Sequence, residues 1–408
     1  MSSKVVQNLF DIKNLPKDAQ KILQDFDQIA QAAMPANSKQ LVALPKIIRE
    51  LSHQMTDDRG SRRLGYMNEK AQLSAYVRYF AWWNLVRLAR LFANLDFSFL
   101  RDGDVCLDIG SGPMTVVCAL WLARPELREK KLVWYALDIS QLALAAGEEI
   151  FLSIAAATGG EPWKIIRVKG ELGTLVKQKA TLVTCANMFN EVIQKQSEPP
   201  DFLAKKYSQA LFKHLDFGEG EEQSKRSGPA ILLVEPGVPK SARFVSLMRD
   251  AFIRRGLSAV APCPHQGSCP MDGRRAGQNG ATGKWCNFAF ETDGAPKKLL
   301  ALSAKAGIPK ERAVLSFVFA QKSDASPKSG RLRIASDIIR VPAAEPGQKS
   351  RIGHYACSEK GLVLALSSGG RRVYSGDLLE LDEKDSRAKR GNDRGARDAK
   401  SGALIVEI

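Results

Sequence analysis

The sequence predicts an α/β fold built on a parallel sheet, and two observations lead to this prediction. From Asp104 to about residue 320, short apolar runs alternate with helical segments. Strands that alternate with helices are typical of parallel sheets with right-handed crossovers. In addition, the apolar run Val105–Ile109 ends in Gly-Ser-Gly-Pro, which places a tight glycine turn between the first strand and the first helix.

The alternating region, residues 101–325, is expected to contain seven strands and three clear helices. The helices are predicted over residues 115–124, 141–157 and 241–255. The strands are predicted over residues 105–109, 131–137, 163–168, 180–186, 229–234, 257–261 and 313–320.

The two ends of the chain differ from this central region. Residues 1–100 are predicted to be helical, because apolar side chains recur there at steps of three and four. A polar break at 322–330 precedes three β-like runs, which predict a small basic β module over 326–382. The charged residues 383–408 are expected to be a mostly disordered tail, although 403–408 could pair as a strand. A chain of 408 residues accommodates two or three such domains.

The chain is strongly basic, with a formal net charge of +16. Such an excess favours a polyanionic partner, and nucleic acid is the first candidate. The alternative is that the charge only maintains solubility. Between Lys328 and Arg372 there are nine basic and three acidic residues, so we expect a basic patch in the β module.

The compartment is predicted from what the sequence lacks. The stretch 81–100 is apolar but carries Arg87 and Arg90, so no membrane partner is expected. The N-terminus has neither an apolar signal core nor an arginine-rich transit character. We therefore expect a monomeric cytoplasmic protein of bacterial type, whose seven cysteines serve thiol or metal chemistry rather than disulfides.

The glycine turn is the candidate cofactor site. Gly110 and Gly112 allow the backbone to approach a ligand closely, and the following helix directs its N–H groups at that ligand. Asp108 precedes the turn, and Asp138 ends the second strand, where a carboxylate can accept ribose hydroxyls. This acidic-x-Gly-x-Gly pattern resembles the S-adenosylmethionine loop of class I methyltransferases. The alternative is a glycine turn that binds nothing.

A substrate pocket would lie at the ends of the fourth and fifth strands. The segment after the fourth strand offers Asn187, Asn190 and Glu191 as substrate contacts, and no general base can be named among them. The Asn-Pro-Pro-aromatic motif of amine methyltransferases is absent. Cys185 could suggest a cytosine-C5 nucleophile, but its mid-strand position favours a buried core thiol.

Four cysteines form the candidate metal site. Cys263, Cys269 and Cys286 lie in a glycine-rich insertion, residues 261–290, and Cys357 follows about 70 residues later. A bound metal would order a segment that is too flexible to fold by apolar burial alone. Irregular spacing with Cys-Pro neighbours fits a [4Fe–4S] cluster, because zinc sites usually contain Cys-x-x-Cys pairs. Zinc with His265 and free thiols remain the alternatives.

These motifs together resemble the mitochondrial small-ribosomal-subunit methyltransferase-like family and its bacterial relatives, over roughly residues 60–380. The resemblance rests on Asp108-Ile-Gly-Ser-Gly-Pro, Asn187-Met-Phe-Asn-Glu, Val234-Glu-Pro-Gly, Pro262-Cys-Pro-His-x-x-x-Cys-Pro, Trp285-Cys-x-Phe and Gly353-His-x-x-Cys.

The resemblance implies an assembly factor that binds S-adenosylmethionine, a [4Fe–4S] cluster and small-subunit rRNA. It also implies a class I methyltransferase sheet, in which 257–261 and 313–320 are strands six and seven. By motif position, the cluster ligands are Cys263, Cys269, Cys286 and Cys357. An rRNA methyltransferase and a non-catalytic assembly factor both fit. A radical enzyme would need Cys-x₃-Cys-x₂-Cys, which is absent.

Overall fold

The computed structural model describes nine stretches of the chain. These stretches are residues 3–56, 65–218, 228–277, 281–292, 294–323, 328–341, 351–367, 372–381 and 396–408. The segments predicted as a polar break and as a disordered tail therefore lie partly outside the described residues, at 324–327 and 382–395.

The elements follow the predicted alternation with small differences at their ends. A π-helical turn, Tyr76–Ala81, leads into one of the helices. The α-helices in the described residues are Lys17–Gln24, Phe26–Ala33, Ser38–Thr56, Lys70–Ala75, Trp82–Phe92, Thr115–Ala123, Pro125–Arg128, Gln141–Thr158, Phe189–Val192, Pro200–Phe212, Pro239–Arg254 and Lys297–Lys305. The strands are β1 Ser3–Asn8, β2 Val105–Ile109, β3 Val133–Asp138, β4 Lys164–Lys169, β5 Leu182–Ala186, β6 Ala230–Pro236, β7 Ser258–Ala261, β8 Phe288–Glu291, β9 Arg312–Gln321, β10 Arg331–Ile334, β11 Ile339–Val341, β12 Arg351–Ser358, β13 Gly361–Leu366, β14 Asp377–Leu381 and β15 Leu404–Glu407.

The first sheet has the order β4-β3-β2-β5-β6-β9-β7. Its first five strands are parallel, and β9 runs antiparallel to both β6 and β7. The predicted α/β fold of class I methyltransferase type is therefore confirmed. An additional strand, β8, pairs with the start of β9 and was not predicted.

Burial on both faces explains why the central strands are continuously apolar. Cys106, Leu107 and Ile109 of β2 are fully or almost fully buried, as expected where helices cover both faces of a parallel sheet. Helix Gln141–Thr158 begins at Ser140, whose hydroxyl accepts the backbone N–H of Ala143 at 3.1 Å. This order places the carboxyl ends of β2, β3, β5 and β6 along one edge.

The N-terminal region is mainly helical, as predicted, over the described residues 17–56 and 66–92, but its first residues are not. Instead, β1 pairs antiparallel with β14, and Asn8 lies opposite Asp377. A strand whose partner lies 369 positions away leaves no local periodicity to detect. The prediction of a wholly helical region 1–100 is therefore wrong for Ser3–Asn8.

The second sheet contains the predicted β module and both chain ends. Its order is β1-β14-β10-β12-β13-β15, and β11 pairs with β12. The final strand pairs in parallel with β13, as the apolar residues 403–408 suggested. The two sheets are joined by the backbone N–H of Asn287, which donates to the carbonyl of Ala335 at 3.2 Å.

One helix in the described residues, Gln141–Thr158, is long and apolar enough to cross a membrane by length and composition alone. In the fold it is the crossover helix after β3 and contacts β3, β4 and helix Thr115–Ala123. The packing of this crossover explains its apolar composition.

Candidate functional site

The glycine loop after β2 is held against the end of β3. The backbone N–H groups of Gly110 and Ser111 donate to the carbonyl of Leu137 at 2.8 and 3.1 Å. Gly110 and Gly112 have φ of +70° and +50°, which side-chain-bearing residues rarely adopt. The loop therefore needs glycine at both positions, as the sequence predicted.

Asp138 fastens this loop to the next helix. One carboxylate oxygen accepts the N–H of Gly112 at 2.9 Å, and the other accepts the N–H of Ser140 at 2.8 Å. Burial raises the pKa of Asp138, and these backbone donors oppose that shift. Each carboxylate oxygen can accept a second hydrogen bond, so this arrangement still leaves capacity for a ligand hydroxyl.

Asp108 has a free acceptor beneath the loop. Its Oδ1 accepts the hydroxyl of Thr184 at 2.7 Å, whereas its buried Oδ2 has no hydrogen-bond partner among the described residues. Burial raises the pKa of Asp108 to about 7. A buried carboxylate with an unused oxygen favours a cationic or hydrogen-bond-donating ligand at this position.

Two methionines line the loop, and the sequence analysis missed both roles. A Cβ atom added to Gly110 would lie 2.6 Å from Cγ of Met188, and one added to Gly112 would lie 3.7 Å from the sulfur of Met67. The carbonyl of Met67 also accepts the hydroxyl of Ser140 at 3.2 Å. Met188 lies within a recognised motif, whereas no sequence signal connects Met67 with the loop.

The turn after β5 brings the substrate candidates to the same edge. Asn187 adopts φ +56°, and its N–H donates to the carbonyl of Val234 at 2.8 Å. Asn190 and Glu191 follow on the short helix Phe189–Val192, and both are half-buried. Asn190 Oδ1 is buried without a hydrogen-bond partner among the described residues. This amide oxygen is available for a donor on a substrate.

Glu235 positions this turn from the neighbouring strand. Its two carboxylate oxygens accept the N–H groups of Phe189 and Asn190 at 2.8 and 3.0 Å. Burial raises the pKa of Glu235 to about 8, although both N–H donors act in the opposite direction. The fully buried carboxylate therefore acts as a cap for the short helix, a role its place in a Glu-Pro-Gly sequence did not reveal.

Three of the four candidate cysteines lie in the insertion between β7 and β8, and the fourth lies on a strand of the second sheet. Cys263 follows β7, which runs parallel to β6 because both are antiparallel to β9, so the insertion begins at the edge where β6 ends, as predicted. Cys286 directly precedes the Asn287–Ala335 contact, and its N–H donates to the carbonyl of Met271 at 3.1 Å. Cys357 lies on β12 of the second sheet. Cys269 is half-buried in the insertion, between Cys263 and Cys286.

The four thiols influence one another electrostatically. Burial is the main cause that raises the pKa of Cys357, and negative charge on Cys269, Cys263 and Cys286 adds to it. Burial similarly raises the pKa of Cys269 to about 11, and it also raises the pKa of Cys286 well above its ordinary value. All four are free thiols. Within the described residues, however, no three metal-ligating side chains are arranged to hold a metal ion.

The polar side chain of His265 adjoins this cysteine site. Nε2 of His265 lies 2.9 Å from Sγ of Cys357, and its buried Nδ1 has no hydrogen-bond partner in the described chain. Burial and the neighbouring Arg249 lower the pKa of His265 to about 4. The neutral ring contacts the one cysteine that comes from the second sheet, so it lies where the insertion and that sheet meet.

The other cysteines are structural. Cys106, Cys118 and Cys185 are buried in β2, helix Thr115–Ala123 and β5. Burial raises the pKa of each thiol, which disfavours the nucleophilic thiolate. The interpretation of Cys185 as a core thiol agrees with this environment.

Comparison with solved structures gives distant similarities. A SAM-dependent methyltransferase from Geobacter sulfurreducens in complex with S-adenosyl-L-homocysteine is 13% identical, with 58% of this chain and 89% of that chain covered and a TM-score of 0.30. A magnesium protoporphyrin IX methyltransferase from Synechocystis is 10% identical, with 75% and 100% covered and a TM-score of 0.33. Similarities of this size carry no information on substrate or activity.

No curated protein matches the chain. A family model does match, over residues 102–361, which is more than half of the chain and includes the glycine loop and all four cysteines. The family is described as mitochondrial small ribosomal subunit Rsm22. This chain therefore belongs to the Rsm22 family.

Proposed function

We propose that the protein binds S-adenosylmethionine at the glycine loop and methylates RNA of the small ribosomal subunit. The observation that carries this proposal is the unpartnered oxygen of buried Asp108 beside two glycines at positive φ. Asp108 would face the amino group of the cofactor, Gly110 and Gly112 its methionine end, and Asp138 its ribose. The bound cofactor supplies an electrophilic methyl group, and Asn187, Asn190 and Glu191 would contact the acceptor.

Membership of the Rsm22 family supports the ribosomal partner, since that family is named for the small ribosomal subunit. The net charge of +16 supports an RNA ligand as well. We also propose that the protein is a cytoplasmic monomer.

The affinity of the protein for rRNA should fall steeply with salt concentration, because phosphates that bind the protein release counterions. A flat salt dependence would show that the basic residues only solvate the surface.

A non-catalytic assembly factor is the second candidate function. It is favoured by the chemistry of the turn after β5, where Asn187 and Asn190 carry amides that cannot act as general bases and only Glu191 of the three substrate candidates carries a carboxylate. Incubation of labelled S-adenosylmethionine with immature small subunits separates the two candidates. Transfer of label to rRNA supports the methyltransferase, whereas retained cofactor binding without transfer supports the assembly factor.

We also propose that Cys263, Cys269, Cys286 and Cys357 hold a [4Fe–4S] cluster, with zinc as the alternative. Each thiolate of such a cluster binds a different iron, so the sulfurs need not converge as closely as around one ion. Free thiols in mutual electrostatic range support this donor set. The cluster would hold the insertion against the second sheet.

Anaerobic purification followed by iron, sulfide and zinc analysis tests the metal centre. Replacement of Cys357 by serine should abolish binding of the metal and weaken RNA binding before it unfolds the first sheet. Replacement of Cys118 by alanine is the matched control, because this buried thiol lies in helix Thr115–Ala123, outside the cysteine insertion. A colourless wild-type protein with stoichiometric zinc would exclude the cluster.

A further inference from the structure

Two buried arginines adjoin the cysteine site and play no part in the function proposed above. Arg249 lies on helix Pro239–Arg254 and Arg333 on β10, and each is only 3% exposed. Buried guanidinium groups are costly unless an anion or a set of hydrogen-bond acceptors compensates them. Their surroundings therefore indicate which anion the fold is built to accommodate.

Arg249 points its guanidinium group directly at the site. Its Nε donates to Sγ of Cys263 at 3.0 Å, and its Nη2 donates to the carbonyls of His265 and Gly267 at 2.9 and 2.8 Å. Its Nη1 pairs with Asp250, a carboxylate that is about one-third exposed. The guanidinium group of Arg249 thus binds backbone carbonyls in the first loop of the insertion. Its positive charge also lies next to the sulfur of Cys263, a proposed ligand.

Arg333 approaches from the second sheet. It lies directly opposite Cys357 in the antiparallel pair β10–β12, so both side chains project from the same face. Its guanidinium donates to three neutral acceptors: the carbonyls of Pro262 and Gly376 and the side-chain oxygen of Gln7. Pro262 adjoins Cys263, so this arginine also joins the insertion to the second sheet.

The charges of these groups match those of a loaded site. Four thiolates around a [4Fe–4S]²⁺ cluster carry a net charge of −2, and four thiolates around Zn²⁺ carry the same charge. Two guanidinium groups carry +2. Asp250 is partly solvated, and the pKa of buried Asp377 near Arg333 is raised, mainly by burial. Neither carboxylate replaces the thiolates as the buried anionic partner.

We propose that Arg249 and Arg333 are the charge-compensating residues of the metal centre: they neutralise the doubly negative tetrathiolate site and fix its position between the two sheets. This inference rests on the proposed metal centre, although it holds for iron–sulfur and for zinc alike. Both arginines are positioning residues, because they act through the ligand sulfurs and the backbone next to them.

The test compares the full chain, purified anaerobically, with the variants Arg249→Met and Arg333→Met. We expect both variants to lose metal to a chelator at least tenfold faster than wild type. If the metal is a cluster, its midpoint potential should become more negative, because a nearby cation favours the more negative, reduced state. The exposed Arg254→Met on the same helix is the matched control and should behave as wild type.

Two further measurements separate a charge role from simple packing. The methionine variants should lower the stability of the metal-loaded protein more than that of the metal-free protein. If a methionine variant does not fold, the variants Arg249→Lys and Arg333→Lys test the charge role instead, since they keep the positive charge. Metal loss within threefold of wild type in the lysine variants supports compensation, and a tenfold acceleration contradicts it.

The two levels of the hypothesis fail differently. Wild-type protein that binds neither iron nor zinc contradicts the metal centre itself, and the role of the arginines with it. Wild-type protein that binds metal, with methionine variants that lose it at the wild-type rate, contradicts only the role of Arg249 and Arg333.

Discussion

Trp285 donates its indole N–H to the carbonyl oxygen of Gly237 across 3.2 Å. Gly237 follows Glu235, whose carboxylate caps the turn that carries the substrate candidates, and Trp285 precedes Cys286. The side chain of Trp285 thereby connects the cysteine insertion to the cofactor edge of the first sheet.

Replacement of Trp285 by phenylalanine should remove this hydrogen bond and keep most of the ring packing. We expect a loss of about 0.5–1.5 kcal/mol in the free energy of unfolding, measured by denaturant titration. Metal content should not change, because the proposed ligand Cys286 is untouched. An unchanged free energy of unfolding would show that the bond contributes nothing.

Replacement of Gly110 by alanine should disrupt the cofactor loop. The new Cβ would lie 2.6 Å from the side chain of Met188, and the residue would be strained at φ +70°. We expect S-adenosylmethionine binding to weaken at least tenfold by calorimetry. Gly103→Ala is the matched control, since Gly103 has φ +80° but no atom within 4 Å of the added Cβ. Equal effects of the two variants would assign the loss to backbone strain alone.

Cofactor affinity should rise with pH through the titration of Asp108, whose pKa is raised to about 7 by burial. Below that pH the carboxyl is protonated and cannot attract the cationic amino group, so affinity should fall by up to about tenfold per pH unit. Asp108→Asn should remove this dependence between pH 5.5 and 7.5. A wild-type profile that is flat in this range would exclude Asp108 as the partner of the amino group.

Asp108 also has a consequence for stability without cofactor. Its pKa in the folded state lies above the unfolded value of about 3.9. The folded state therefore binds the proton more tightly, and its advantage is full below about pH 4 and lost as the pH rises to about 7. Asp108→Asn should lose less stability than wild type over this interval in denaturant titrations. A parallel decline in both proteins would contradict the raised pKa.

Deletion of residues 1–8 should destabilise the second sheet selectively. The deletion leaves the edge of β14 unpaired and removes Gln7 as an acceptor for Arg333. Hydrogen exchange should accelerate in β10 and β14 and stay slow in β2 and β5. An equal acceleration in both sheets would mean that they unfold as one unit.

The sequence predicted the first sheet well because its signals are local. Each strand is a short apolar run, and the glycine loop and the cysteines are visible as motifs. Features that depend on residues far apart in the sequence are visible only in the structure, such as the pairing of β1 with β14 and the proximity of Met67 to Gly112. Neither leaves a pattern within a window of neighbouring residues.

Arg249 is an intermediate case, because its position in the sequence carries a local signal of burial. It lies four residues after Val245 and three before Phe252, inside the buried face of its helix. A charged residue in an apolar stripe indicates a buried partner. Arg333 gives a weaker signal, since basic residues surround it in the sequence and only the strand pairing shows that it is buried.

The pairing of β1 with β14 also bears on the order of events during synthesis. The first strand leaves the ribosome with its partner still 369 residues behind, which corresponds to about 20–70 seconds of translation. The edge of the second sheet can close only after β14 has been synthesised. Because Gln7 is one of three acceptors for Arg333, which lies opposite Cys357, the proposed metal centre should reach its final stability only in chains that extend past β14. A chain that ends before β14 should therefore lose a bound metal more readily than a chain that contains β14.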